Sequence, residues 1–179
     1  MDVTETVRPE ATQRDIVDRV VAAAGTVSGG RIKNLILNAH GWPAWFQLGT
    51  GLSSSTMAPW SDVSGKVFKI WFRGCLVARI AGAHADRHED GSTLRALGVT
   101  SGNGHAFVRA FARLTRCYVV APTELQVSRQ RTYPHGQMNT YEGLVLSYDP
   151  EGTITWRRRY PSVYGFDPDT RRATAPNDE

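Results

Sequence analysis

The chain predicts an α/β fold with a mostly parallel central sheet, helices on both faces and a β-hairpin at the C-terminal end. Three observations carry that reading. A helical apolar period, a Gly-rich turn and an apolar strand follow one another over residues 12–38, which is α/β order. Two more short apolar runs, 67–72 and 117–121, come after intervals long enough for crossovers. Residues 144–148 and 153–156 flank Asp149-Pro150-Glu151-Gly152, which is the pattern of two strands and a turn.

The elements follow in order. Residues 1–10 carry no apolar period and read as disordered. Thr12 caps a helix whose buried stripe is Ile16, Val17, Val20, Val21 and Ala24, with Asp15 in its first turn and Gly25 as its stop. Ser28-Gly29-Gly30 turns the chain into a central strand, 32–38. His40-Gly41-Trp42-Pro43 is a loop, 44–48 a short strand, and 52–62 irregular with one helical turn. Gly65 opens the strand 67–72, where Phe68, Ile70 and Phe72 share a face. Residues 76–80 start a helix, and 81–99 form a long polar loop. Ser101 then caps a helix with Phe107, Val108, Phe111 and Leu114 as its stripe. The third strand, 117–121, ends at Pro122, and 128–137 is a basic loop. Residues 11–166 read as one domain, with a disordered tail at 167–179.

Composition narrows the function. The chain has 179 residues, 41% hydrophobic and 21% charged, which is ordinary for a globular protein. No apolar run approaches the roughly 20 residues of a membrane span. The first ten residues are polar and acidic, so no cleavable signal is expected; the location is cytoplasmic, or reached by delivery without such a signal. The net charge of +4 is mild and partly clustered, as in Arg157-Arg158-Arg159, and no nucleic-acid motif is present. Two cysteines, Cys75 and Cys117, are too few for a disulfide scaffold and have no zinc spacing.

The chemistry concentrates at two strand ends. Leu35-Ile36-Leu37-Asn38-Ala39 runs into His40-Gly41, and Val67-Phe68-Lys69-Ile70-Trp71-Phe72-Arg73 runs into Gly74-Cys75. If these are neighbouring parallel strands, the histidine and the thiol leave at the same carboxyl edge, where open α/β sheets place their sites. A thiol beside a base or a positive neighbour becomes a usable nucleophile near neutral pH. Histidine can supply the base or protonate a leaving amine. The main-chain N–H groups of Gly41 and Cys75 are candidate oxyanion donors. The same residues also allow a plainer reading, in which Cys75 is a small core side chain and His40 a hydrogen-bonded strand end.

The apolar-run–His-Gly and apolar-run–Gly-Cys pairs resemble the caspase–legumain–gingipain superfamily of cysteine peptidases. The segments Gly102-Asn103-Gly104-His105-Ala106-Phe107-Val108 and Cys117-Tyr118-Val119-Val120-Ala121-Pro122-Thr123-Glu124-Leu125, with the terminal hairpin, are similar to the autoprocessing cysteine protease domain of large RTX bacterial toxins. The resemblance spans roughly residues 12–160, and only the His-Gly and Gly-Cys pairs are specific. It implies a caspase-like three-layer sandwich, a peptide or protein substrate, and no metal or organic cofactor. Cys75 would be the nucleophile, His40 the general acid/base and Gly41 an oxyanion donor. Arg73, Thr123 and Glu124 would contact the substrate, Arg73 suiting an acidic residue before the scissile bond. The toxin domains also imply an anionic activator, inositol hexakisphosphate, with Arg129, Arg131, Arg157, Arg158 and Arg159 to receive it.

Two rivals stand beside this reading. One is a caspase-like binding or adaptor module with an inert Cys75. The other is a metal site at His84 and His88 with Asp86, Glu89 and Asp90, weakened by the flanking Gly82 and Gly91. His105 reads as a helix cap and His135 as surface. Trp42, Trp45, Trp60 and Trp71 read as core and rim packing rather than an aromatic groove, and Cys117 as an inert core thiol.

Overall fold

A computed structural model describes residues 3–81, 101–126 and 140–161, and the backbone of 166–167 and 172–173. Helix α1 spans Gln13–Thr26. Its start is a capping box: the Asp15 N–H donates to the Thr12 hydroxyl, and the Thr12 N–H donates back to the Asp15 carboxylate at 2.9 Å. Gly25, expected to stop the helix, lies inside it; the cap is Val27. Segment 3–10 forms no helix or strand, yet Val7 rests on the core and Glu5 lies 3.9 Å from Arg19.

The strands are β1 (Ile32–Asn38), β2 (Gly41–Trp42), β3 (Trp45–Phe46), β4 (Leu52–Ser53), β5 (Val67–Arg73), β6 (Ile80–Ala81) and β7 (Gly102–Asn103). Helix α2 (Gly104–Thr115) follows, then β8 (Tyr118–Pro122), β9 (Gly143–Tyr148) and β10 (Ile154–Tyr160). The central sheet runs β1-β5-β8-β9-β10. The first three strands are parallel, and the β9–β10 hairpin closes the sheet antiparallel. The fold is therefore α/β on a mixed sheet. Across the border of the expected tail, β11 (Phe166–Asp167) pairs antiparallel with β12 (Arg172–Ala173).

Strand alternation sorts the sheet into two faces. Leu35, Leu37, Ile70, Phe72, Val119, Ala121, Leu146 and Tyr148 face one cluster, which also holds Ile16, Val17 and Val20 of α1 and Phe107, Val108 and Phe111 of α2. Both described helices thus pack on this one face. The 3-10 segment Ala58–Val63 joins them: the Trp60 indole N–H donates to the Gln13 amide oxygen at 2.9 Å, and its ring lies 5.3 Å from that of Phe111. Removing one such fully buried ring costs about 3–5 kcal/mol. The other face carries Trp71, Val120, Tyr141, Val145, Trp156 and Tyr160. The expectation of helices on both faces is thus not met among the described residues. A bulge between Ile154 and Trp156 turns β10 over, so Ile154 joins the first face and Trp156 the second.

Two local readings need correction. Residues 76–80 start no helix; Leu76 takes φ +60°, and the chain instead lies along the end of β8, with Leu76 N–H donating to Glu124 O and Ala78 N–H to Pro122 O. The cap of α2 is Asn103, not Ser101 or His105: the Asn103 side chain accepts from Ala106 N–H at 2.9 Å. The sequence resembled a cap at Ser101 because serine commonly fills that place, but Gly102–Asn103 is drawn into pairing with β6.

Candidate functional site

Register fixes where the two reactive ends meet. In the parallel β1–β5 pair, Leu37 lies opposite Phe72 and Asn38 opposite Arg73, and Ala39 N–H still donates to Arg73 O. Both chains then leave at the carboxyl edge. A Cβ added to Gly41 would lie 2.5 Å from the Cys75 carbonyl oxygen, and one added to Gly74 would lie 2.4 Å from that of Ala39. The His-Gly and Gly-Cys pairs therefore lie main chain against main chain, and glycine is needed on both sides for that approach.

His40 is exposed, and its ring centroid lies 6.4 Å from that of Trp42. Its carbonyl accepts from Gln47 N–H, which ties the loop to the small β2–β3–β4 sheet. Cys75 is half-buried. Among the described residues no hydrogen bond joins the His40 ring to the thiol; Cys75 Sγ instead receives the Gln126 main-chain N–H at 3.3 Å and lies 3.7 Å from Gln126 O. Leu76, next in sequence, takes the left-handed conformation, which costs a non-glycine residue about 1–2 kcal/mol. Such backbone strain is concentrated at sites where geometry is functional. The start of α2 backs this turn, with Gly104 N–H donating to Arg79 O at 2.7 Å.

The expected substrate residues divide. Arg73 is buried, its guanidinium 4.5 Å above the Tyr141 ring. Tyr141 in turn donates to Phe72 O at 3.0 Å, and burial pushes its phenol well above the usual range. Thr123 donates through both its N–H and its hydroxyl to Leu144 O. Glu124 accepts from Leu144 N–H and from Arg159 at 3.1 Å. Thr123 and Glu124 are thus engaged in fastening the end of β8 to β9 and β10.

The other candidates divide as well. The consecutive arginines alternate: Arg158 lies over Tyr160 and Arg159 holds Glu124, while Arg157 adds its charge to the burial and the Arg109 charge that disfavour protonation of His105. Arg129 and Arg131, the metal candidates at 84–90, and His135 lie outside the described residues; elsewhere no cluster of three metal-ligating side chains occurs among the described residues. Cys117 is fully buried, its thiol pushed up by burial. Trp60 is core, Trp71 donates to Asn34 on the second face, and Trp42 and Trp45 remain beside His40. An open cavity of about 650 Å³ is lined by Met57, Asn103, His105, Arg109 and Arg113, and neither His40 nor Cys75 borders it.

Sequence reading did not single out Gln126 or Tyr141. Each meets its partner only through contacts more than fifty residues distant in the chain, Gln126 with Cys75 and Tyr141 with Phe72. No family model, curated protein or solved structure matches this chain.

Proposed function

We propose that the chain is a cysteine endopeptidase or self-processing protease using Cys75 and His40, with the finer caspase-like arrangement as its frame. One observation carries the reading: adjacent parallel strands bring His40-Gly41 and Gly74-Cys75 into main-chain contact at the carboxyl edge. In the reaction, the Cys75 thiolate attacks the scissile carbonyl carbon. The oxyanion forms beside the N–H groups of Gly41 and Cys75. His40 protonates the leaving amine as the C–N bond breaks, leaving a thioester on Cys75. Water then attacks the thioester, the acid product leaves, and the thiol is restored. Arg73, at the end of β5 two residues before the nucleophile, favours an acidic side chain before the scissile bond. An anionic activator, taken up by the exposed arginines of β10, belongs to the same reading.

The test is cleavage of a peptide library and of the chain itself. Cys75→Ala is expected to abolish cleavage with an unchanged circular dichroism spectrum, and His40→Ala to reduce it at least roughly a hundredfold. Cleavage retained by Cys75→Ala removes Cys75 as nucleophile. The inert binding-module reading draws on a different observation, the occupied hydrogen-bonding positions of the thiol. It predicts that the wild-type chain cleaves nothing in either assay.

A further inference from the structure

We infer that Gln126 is a latch that keeps the Cys75 sulfur engaged at rest, so that substrate or alkylating agent reaches the sulfur faster when segment 124–126 lifts. The inference deepens the peptidase reading and draws its functional meaning from it.

The thiol is bracketed by the main-chain N–H and carbonyl of one residue. Gln126 N–H donates to Sγ at 3.3 Å, and Sγ lies 3.7 Å from Gln126 O, where a neutral S–H can donate. Gln126 thus occupies the approach to the sulfur from its own side, and holds the lone pair and the S–H in hydrogen bonds. The segment is also laid along the chain that follows the nucleophile, since Leu76 N–H donates to Glu124 O and Ala78 N–H to Pro122 O.

The Gln126 side chain explains why this peptide stays in place. It is only 9% exposed. Its amide nitrogen lies within hydrogen-bond reach of Glu124 O at 3.0 Å, Leu125 O at 3.1 Å and Glu142 O at 2.8 Å. Its amide oxygen accepts Glu142 N–H at 2.9 Å. A glutamine in a polar segment would ordinarily be solvated; here both ends of its amide are used to pin 124–126 to the residue before β9. Each such bond adds a modest net stabilisation to the closed arrangement. Their loss therefore raises the open population by roughly tenfold or more, one factor of ten for each 1.4 kcal/mol.

The experiment compares iodoacetamide labelling of the full chain in the wild type and in Gln126→Ala, followed by mass spectrometry at Cys75. Cys117, fully buried, serves as the internal check on folding. The expected result is Cys75 labelling roughly tenfold faster in Gln126→Ala with Cys117 still protected, as local opening without unfolding requires. A rate within twofold of the wild type, or slower, overturns the latch. If Cys117 labels as well, Gln126→Glu decides, because it keeps the acceptor for Glu142 N–H and removes the donors. A smaller rise at Cys75 supports the latch, and no rise overturns it. Peptide cleavage is read in parallel. Faster labelling with no cleavage by either protein keeps the latch and ends the peptidase reading. Unchanged labelling with normal wild-type cleavage ends the latch and keeps the peptidase.

Discussion

The two edges of the parallel strands use glycine in opposite ways. At the carboxyl edge, Gly41 and Gly74 stand where any Cβ would run into the neighbouring main chain. At the amino edge, Gly65 leads into β5 at φ +74° with nothing within 4 Å of its would-be Cβ. The first kind of glycine compresses two chains together; the second only turns one. The thiols follow the same division. Cys75 lies half-buried at the compressed edge, while Cys117 enters β8 fully buried, close to Val67 O and Thr115 O. Main-chain contact between reactive loops is thus what separates the carboxyl edge from an ordinary set of strand ends.

The largest break in that contrast comes from Gly74→Ala. Its methyl would meet Ala39 O and the Phe46 ring, so the β1 and β5 ends must part. Overpacking of this kind costs about 1–3 kcal/mol in urea unfolding, and any Cys75-dependent activity should fall with it. Gly65→Ala should cost a comparable 1–2 kcal/mol or so through backbone strain alone, with activity per folded molecule kept. Equal activity losses in the two variants would erase the distinction between the edges.

A smaller effect sharpens the comparison at α2, whose start abuts the carboxyl edge. His105 bonds to the hydroxyl of fully buried Tyr148 at 2.9 Å. Burial, then the charges of Arg109 and Arg157, lower its pKa from the ordinary 6.5. The folded chain therefore holds this histidine neutral where the unfolded chain has begun to bind a proton. Stability linked to His105 is present above the ordinary value and is lost as pH falls through it toward the lowered one. Thermal melts between about pH 7.5 and 5.5 should fall less steeply for His105→Gln than for the wild type. The Asp15 and Asp62 carboxyls, lowered by bonds from Thr12 and Arg14, act only at more acid pH. Parallel melting curves for the two proteins would remove His105 as the titrating group.

The smallest expected change lies at the other end of α2, toward the amino edge. Arg116 takes φ +55° as the helix cap and is exposed. Arg116→Gly should stabilise by about 0.5 kcal/mol, the relief of left-handed strain less the entropy that glycine adds to the unfolded chain. A loss of stability would mean that the arginine side chain contributes more than its backbone strain costs.

Much of the scaffold was readable from local pattern. The apolar period of α1, the runs that became β1, β5 and β8, and the turn at 149–152 each declare themselves within a few residues. Errors arose where a distant partner overrode local preference. Residues 76–80 looked helical but were taken up by 122–124, and Ser101 yielded to Asn103 because the chain before α2 pairs with β6. Thr123 and Glu124, expected at the substrate, also fasten the hairpin, a role that no local pattern shows.

The sequence by itself determined an α/β chain in which a histidine and a cysteine each end a strand, because side-chain period and turn residues are properties of adjacent positions. Only the tertiary structure decided that those ends touch through glycine, that the described helices share one face, and that Gln126 lies on the sulfur. These depend on register and on contacts closed across long stretches of chain. Their stability comes from burial and hydrogen bonds that exist only once the sheet has assembled.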